Sequence, residues 1–339
     1  QIKEFSSEAK IQNISYEWNI GNINISPEDE IHFTINVADN NIFSPNIIKS
    51  KKFIGRYPTI EDLFKQMEDY EEDIQDYNEE LISDVDEVQD RLKDIQLDLL
   101  KADELGWDEK QELDKTIEEM EEIFNQIEEI QEVIEKVQEE AEKNNLISDE
   151  LMSKYEEFQN LLTEILTPEL LDAMEKIQQL SNSTDLNELL NELNNFEDSL
   201  NDFEEQIDRF IDMFDQAIAE QKIDEVVKKL ESMLNQQIEV LNELDKIDPN
   251  LKDMSSKERR IEEEYKDLQN SMEDAMNSSK KSSSSTSEMF ENLISSELNE
   301  ETKKNIKEAR ESLSKEEKEN SEKEAEKAQE NLSEMLEEA

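Results

Sequence analysis

The side chains that carry most enzymatic chemistry are nearly missing from this sequence. Among 339 residues there is one histidine, His32, and no cysteine. Without cysteine there are no disulfides, thiolate nucleophiles or cysteine-ligated zinc and iron–sulfur sites. One imidazole cannot build a multi-histidine metal centre or serve many acid–base mechanisms. His32 alternates with Ile31 and Phe33, which puts it on the polar face of a strand. The three glycines, Gly21, Gly55 and Gly106, are too scattered for a phosphate-cradling or dinucleotide-binding loop.

Carboxylates are the abundant reactive group, with 92 Asp and Glu against 36 Lys and Arg and a formal net charge of −56. Abundance empties their pairing of meaning. A glycosidase needs two acids in a cleft with separated pKa values, and nothing in the order of residues selects such a pair. Oxygen ligands suit Ca2+, but no segment carries the glycine-containing spacing of an EF-hand loop, which leaves weak, diffuse divalent-cation binding. No catalytic, cofactor-binding or metal-ligating residue is singled out, and no cofactor is implied. Trp18 and Trp107 read as packing anchors, Trp18 in a sheet core and Trp107 plugging a helix–helix corner after Gly106. Lys257, Arg259, Arg260 and the Lys280-Lys281 pair are too few to draw nucleic acid to so acidic a chain. An anionic membrane surface is disfavoured for the same reason.

The elements that would position these groups differ sharply along the chain. Residues 1–58 hold 6 basic and 7 acidic side chains, whereas residues 59–250 hold 15 and 60. The acidity is therefore a property of the middle of the chain. Residues 1–58 read as strands: Ile14, Tyr16 and Trp18 alternate with polar neighbours, as do Ile31, Phe33, Ile35 and Val37, and a third stretch runs over about 48–57. Turn residues separate them at Ser26-Pro27-Glu28-Asp29, Asp39-Asn40-Asn41 and Ser44-Pro45-Asn46. Three strands are too few for a sandwich, so this segment reads as the closing part of one.

After Pro58 the period changes. Thr59 reads as an N-cap, with Asp62 reaching back to it. Ile60, Leu63, Met67, Tyr70, Ile74, Tyr77, Leu81, Val85, Val88, Leu92, Ile95 and Leu99 step by three and four, the seam of a coiled coil. Gly106 ends that run, and Asp108 with Gln111 reads as the next cap. Leu113, Ile117, Met120, Phe124, Ile127, Ile130, Ile134 and Val137 form a second stripe, broken at Asn144-Asn145 and restarted at Ser148. Thr167-Pro168 starts a short helix. The longest stripe begins at Leu186, continues through Phe196, Phe203, Phe210 and Phe214, and ends at Asp248-Pro249. Whether its partner lies in this chain or another stays open. Residues 251–277 read as a further helix opened by a Ser255–Glu258 capping box, 278–287 as a serine-rich linker, and 288–339 as a charged tail, marginally helical or disordered.

The stretch YEWNIGNINISPEDEIHFTINVADNN (16–41) and then SKKFIGRYPTIEDLF (50–64) resembles a junction in a bacterial domain-of-unknown-function family of large membrane-anchored proteins. There an immunoglobulin-like β-domain hands over to long acidic helices. ELGWDEKQELDKTIEEMEEI (104–123), LISDELMSKYEEFQNLLTEILTPEL (146–170) and QAIAEQKIDEVVKKLESM (216–233) fit the same resemblance, which covers about two-thirds of the chain. It implies a membrane-anchored parent in the cell envelope, with this part on the periplasmic side or, as the alternative, the cytoplasmic side. Some members carry an automatic ATPase label, but this sequence has no phosphate-binding loop to match it.

The expected architecture is mainly α: a partial immunoglobulin-like β-segment over 1–58, then a long antiparallel helical bundle or coiled coil over 59–250 with the smaller pieces after it. The expected role is a non-enzymatic structural or interaction module. Its protein partners would meet the helical seams and tend to be basic; nucleic acid is excluded, membrane is reached only through the parent, and a homo-oligomer is open. The alternative is regulatory: an acidic surface capturing a basic partner or divalent cations.

Overall fold

The computed structural model describes Trp18 and residues 30–39, 45–56, 58–102, 104–181 and 185–339. The strand expected at 14–18, Trp18 apart, and the turn at 26–29 lie outside them, Asp29 included. The chain divides into two units, Gln1–Thr59 and Ile60–Ala339.

In the first unit, β1 (Glu30–Phe33) pairs antiparallel with β4 (Phe53–Arg56), and β2 (Asn36–Ala38) with β3 (Ile47–Lys49). Phe33 stands opposite Phe53, and Asn36 opposite Lys49. One arm therefore has one residue more than the other between the two ladders, which is a bulge. Ser50 bridges it: Ile35 N donates to Ser50 Oγ at 2.9 Å, and Ser50 N donates to Ile35 O at 2.8 Å. The two alternating stretches are thus the arms of one bent hairpin. Phe33 stacks on Phe53 at 5.4 Å, and Trp18 meets Phe33 edge-on at 5.8 Å. Trp18 is still 46% exposed, so it flanks this aromatic pair instead of filling a core. Four short strands bury little by themselves, and Ile35, Val37, Ile47, Ile48 and Ile54 are exposed.

The second unit is a helical bundle. Its helices are α1 (Ile60–Leu99), α2 (Trp107–Asn144), α3 (Asp149–Ile165), α4 (Pro168–Leu180), α5 (Leu186–Leu244), α6 (Leu251–Ser282), α7 (Ser284–Ser295), α8 (Glu297–Ser314) and α9 (Lys318–Glu338). Side-chain oxygens start most of them. Ser148, Thr167, Asp185, Asn250, Ser283 and Ser296 each accept a backbone N–H of the first turn. Asn145, in the left-handed region at φ 52°, ends α2.

Two hydrophobic cores result. One gathers α1 to α4 and the first part of α5; the other gathers the rest of α5 with α6 to α9. The Leu186 stripe finds its partners within this chain, packing on α1, α3 and α4. On α1 the buried positions are Phe64, Met67, Glu71, Ile74, Asn78, Leu81, Val85, Val88, Leu92, Ile95 and Leu99, an unbroken alternation of three and four. Selecting by apolar type alone puts Tyr70 and Tyr77 on this seam; they border it half-buried, and the polar Glu71 and Asn78 occupy the seam itself. Likewise Ile123 takes the α2 position expected for Phe124, which turns to meet Phe203 edge-on at 6.3 Å.

Several expectations are corrected. Gly106 is the N-cap of α2, and Asp108 lies inside the first turn. Trp107, at the first helical position, points outward at 75% exposure; Leu105 packs against the core at that corner instead. The Ser255–Glu258 capping box does not form, because Asn250 caps α6 a turn earlier and leaves Ser255 and Glu258 inside the helix. Residues 278–287 are no linker: α6 runs on to Ser282, Ser283 caps α7, and Ser287 Oγ donates to Met276 O at 3.0 Å. The tail is ordered helix as well. Ala309, Ser312, Ser321, Ala325 and Ala328 are buried in α8 and α9. These small side chains let the helices approach closely, so few large apolar residues are needed to close the contact.

Candidate functional site

The most chemically unusual place in the molecule is where α5 passes from the first core into the second. Around Ala217 its buried stripe widens, and Ala219, Gln221, Glu225, Val226, Lys229 and Leu230 are all buried. The helix is there packed on two sides at once, by α1 and α3 from the first core and by α6 from the second. Polar residues on that stretch cannot turn to water and must find partners in the interior.

Most do. Lys229 Nζ lies 2.7 Å from Glu225 Oε1 and also reaches Glu61 of α1. It donates to Ser271 Oγ of α6 at 2.7 Å, and Ser271 in turn donates to Glu225 Oε1 at 2.8 Å. Lys222 pairs with Glu68 of α1 and lies 3.5 Å from Glu225 Oε2. Burial works against the charges of all three α5 residues, yet their mutual attraction wins. Lys229 and Lys222 are held above the usual lysine range, and Glu225 is held below the usual carboxylate range by Lys229 and Lys222. At the rim, Lys154 of α3 holds Glu220, with Nζ 2.5 Å from Oε2, and Ser148 N donates to Asp224 Oδ2 at 2.7 Å.

Glu71 is the exception. It is 5% exposed and its Oε1 has no hydrogen-bond partner. Burial drives its carboxyl up to about 8; Lys222 opposes this, while Glu68 and Glu225 add to it. Gln221 is its hydrogen-bonding neighbour, and Tyr155 OH donates to Gln221 Oε1 at 2.8 Å. Burial, and then Glu71, push the Tyr155 phenol well above its ordinary range. A second buried acid lies further along. Glu258 of α6 accepts from Gln237 Nε2 of α5 at 2.7 Å, and burial raises it to about 7. Tyr265 closes the far core, donating to Asn299 Oδ1 at 2.6 Å.

Ser271 and Lys229 have the atoms of a serine–lysine hydrolytic pair. Their chemistry runs the other way, because a lysine held charged by Glu225 and Glu61 cannot take the serine proton. Two surface grooves are both acidic. One, of about 510 Å3 at the α2–α3 elbow, is lined by Glu135, Glu139, Glu142, Asp149 and Glu156 with Ile147 and Met152. The other, of about 400 Å3, is lined by Glu169, Asp202, Glu205 and Arg209. Among the described residues, no group of three or more His, Asp or Glu is placed to hold a metal ion, and no helix is long and apolar enough to cross a membrane.

His32 is exposed, with Nε2 2.6 Å from Glu30 Oε2. The basic residues stay scattered: Lys257 is taken up by Glu239 at 2.7 Å, and Lys280 by Asn277 at 2.7 Å. None of the buried polar residues stood out from their types alone. Their signal was position: Glu71, Gln237 and Glu258 all fall on three–four stripes whose other members are mostly apolar, Asn78 being a second polar member on α1. No family model, curated protein or solved structure matches the chain.

Proposed function

We propose that this chain is a non-enzymatic scaffold: the closing strands of an immunoglobulin-like domain followed by an antiparallel coiled-coil bundle, belonging to a membrane-anchored protein of the bacterial envelope. One observation carries this reading. α5 is a single helix of 59 residues, about 88 Å at 1.5 Å per residue, and it supplies a wall to both cores. A helix that joins two cores, tied to α1 by the Lys222–Glu68 and Lys229–Glu61 ion pairs and to α6 by the Ser271 hydroxyl, transmits force and fixes spacing. The apolar stripes are spent on packing within the chain, so partners would meet the outer faces. Small-angle scattering of the chain tests the reading. A radius of gyration well above the ~20 Å of a globule of this length supports an elongated scaffold, and a value near 20 Å rejects it.

The acidic groove at the α2–α3 elbow favours a second reading, in which the outer faces capture a basic partner or divalent cations. Retention of polylysine at low salt and its release at several hundred millimolar, beyond what a screened surface can hold, supports this reading. Retention unaffected by salt counts against it.

A further inference from the structure

Gln237 lies fully inside the second core, and its Nε2 donates to Glu258 Oε1 at 2.7 Å. The remaining oxygen of each side chain, Gln237 Oε1 and Glu258 Oε2, is buried without a partner. Two leftover acceptors on joined groups, one of them ionisable, want the same hydrogen. A proton on Glu258 Oε2, donated to Gln237 Oε1, closes a two-bond acid–amide ring and satisfies both atoms. The first core holds a related pair. Glu71 Oε1 is buried without a partner, Gln221, earlier on the same helix as Gln237, is the hydrogen-bonding neighbour of Glu71, and Gln221 Oε1, which accepts from Tyr155, keeps a second lone pair.

We propose that Glu71 and Glu258 are held as neutral acids in the native chain and act as paired, proton-operated clasps. Each proton ties its helix, α1 or α6, to a glutamine of α5, and loss of the protons loosens both cores on that helix. Charge around Glu71 cannot substitute for the proton. It is faced by Glu68 on α1, by Tyr155 on α3, and by Lys222 and Glu225 on α5, and Lys222 is already engaged by Glu68 and Glu225. Glu258 faces the neutral Gln237. Of the charged residues near it on α6, Lys257 is paired with Glu239 of α5, Glu262 with Arg310 of α8, and Arg259 is exposed to solvent.

The sign follows from linkage. Both carboxyls stand above the ordinary 4.5, Glu71 near 8 and Glu258 near 7. Folding therefore takes up protons across that window, and stability falls as pH rises through it. The wider repulsion of a chain at −56 runs in the same direction, so substitutions are needed to isolate the two acids. In the full chain labelled at glutamate carboxyl carbons, NMR titration should show two resonances that titrate near or above neutral pH. One should vanish in Glu71→Gln and the other in Glu258→Gln. The urea midpoint should fall between about pH 6 and pH 9, by less in each single variant and least in the double variant. If every glutamate of the unsubstituted chain has already titrated by about pH 6, the proposal is overturned without any variant having to fold. Folded variants with an unchanged pH slope overturn it as well.

Discussion

Lys229 Nζ lies 2.7 Å from Glu225 Oε1, one helical turn away on α5, and neither residue is more than 5% exposed. A buried pair of this kind is held in place by what its loss would leave behind. With Lys229→Met, Glu225 keeps only Lys222, at 3.5 Å, and the Ser271 hydroxyl. Unfolding in urea should register a loss of about 3 kcal/mol, the usual result of stranding a buried charge. Adding Glu225→Leu should recover part of it, and a double variant less stable than the single would contradict the pairing.

The same pair sets an acid limit opposite in sign to the two protonated acids. The folded-state pKa of Glu225 is depressed, so its stabilisation is present above the ordinary 4.5 and disappears as pH falls through the depressed value. Glu71 and Glu258 favour acid over the range from 4.5 up to about 8 and 7 respectively. Thermal melts across pH should accordingly peak at mildly acidic pH, near about 5, and decline on both sides. A peak above pH 8 would contradict these assignments.

Tyr155 tests the first core independently of charge. Tyr155→Phe keeps the ring packed edge-on to Phe158 at 5.5 Å but removes the Tyr155 hydrogen bond to Gln221 Oε1. The expected cost is about 1 kcal/mol, that of one lost buried hydrogen bond, measured by denaturant unfolding.

The carboxy-terminal helices depend on small residues. Ala328 is fully buried in α9 as a member of the second core. Ala328→Leu should destabilise the chain by about 1 to 3 kcal/mol through overpacking, and hydrogen exchange should quicken in α8 and α9 first. An exposed, dispensable tail would tolerate the change.

Trp107 gives a surface control. At 75% exposure it should fluoresce like an indole in water and quench freely, and Trp107→Ala should alter stability by less than about 0.5 kcal/mol.

Residue order announced the helical bundle well. Proline, asparagine and serine punctuation at Thr167-Pro168, Asn145 and Ser148 lies at real helix ends, because caps act within a few residues. The buried polar layer was hidden for the opposite reason. Glu71 and Gln221 are ordinary surface residues by type, and only the meeting of α1, α3 and α5 removes them from water. Ser283 and Ala328 misled in a related way. Serine-rich sequence reads as a linker and sparse apolar residues among mixed charges as disorder, but here hydroxyls cap helices and small side chains permit close contact. Trp107 shows that size alone does not place a residue in a core when Leu105 can reach the same corner.

The scaffold account depends most on α5 staying one helix through its polar crossing. The chain has no cysteine, so Glu205→Cys and Asn235→Cys would carry the only two spin labels, on exposed positions either side of Lys222 and Lys229. A continuous helix predicts a single narrow distance distribution centred near about 45 Å, at 1.5 Å per residue. A broad distribution, or one centred well short of that length, would mean that α5 breaks at the crossing and that no single helix joins the two cores.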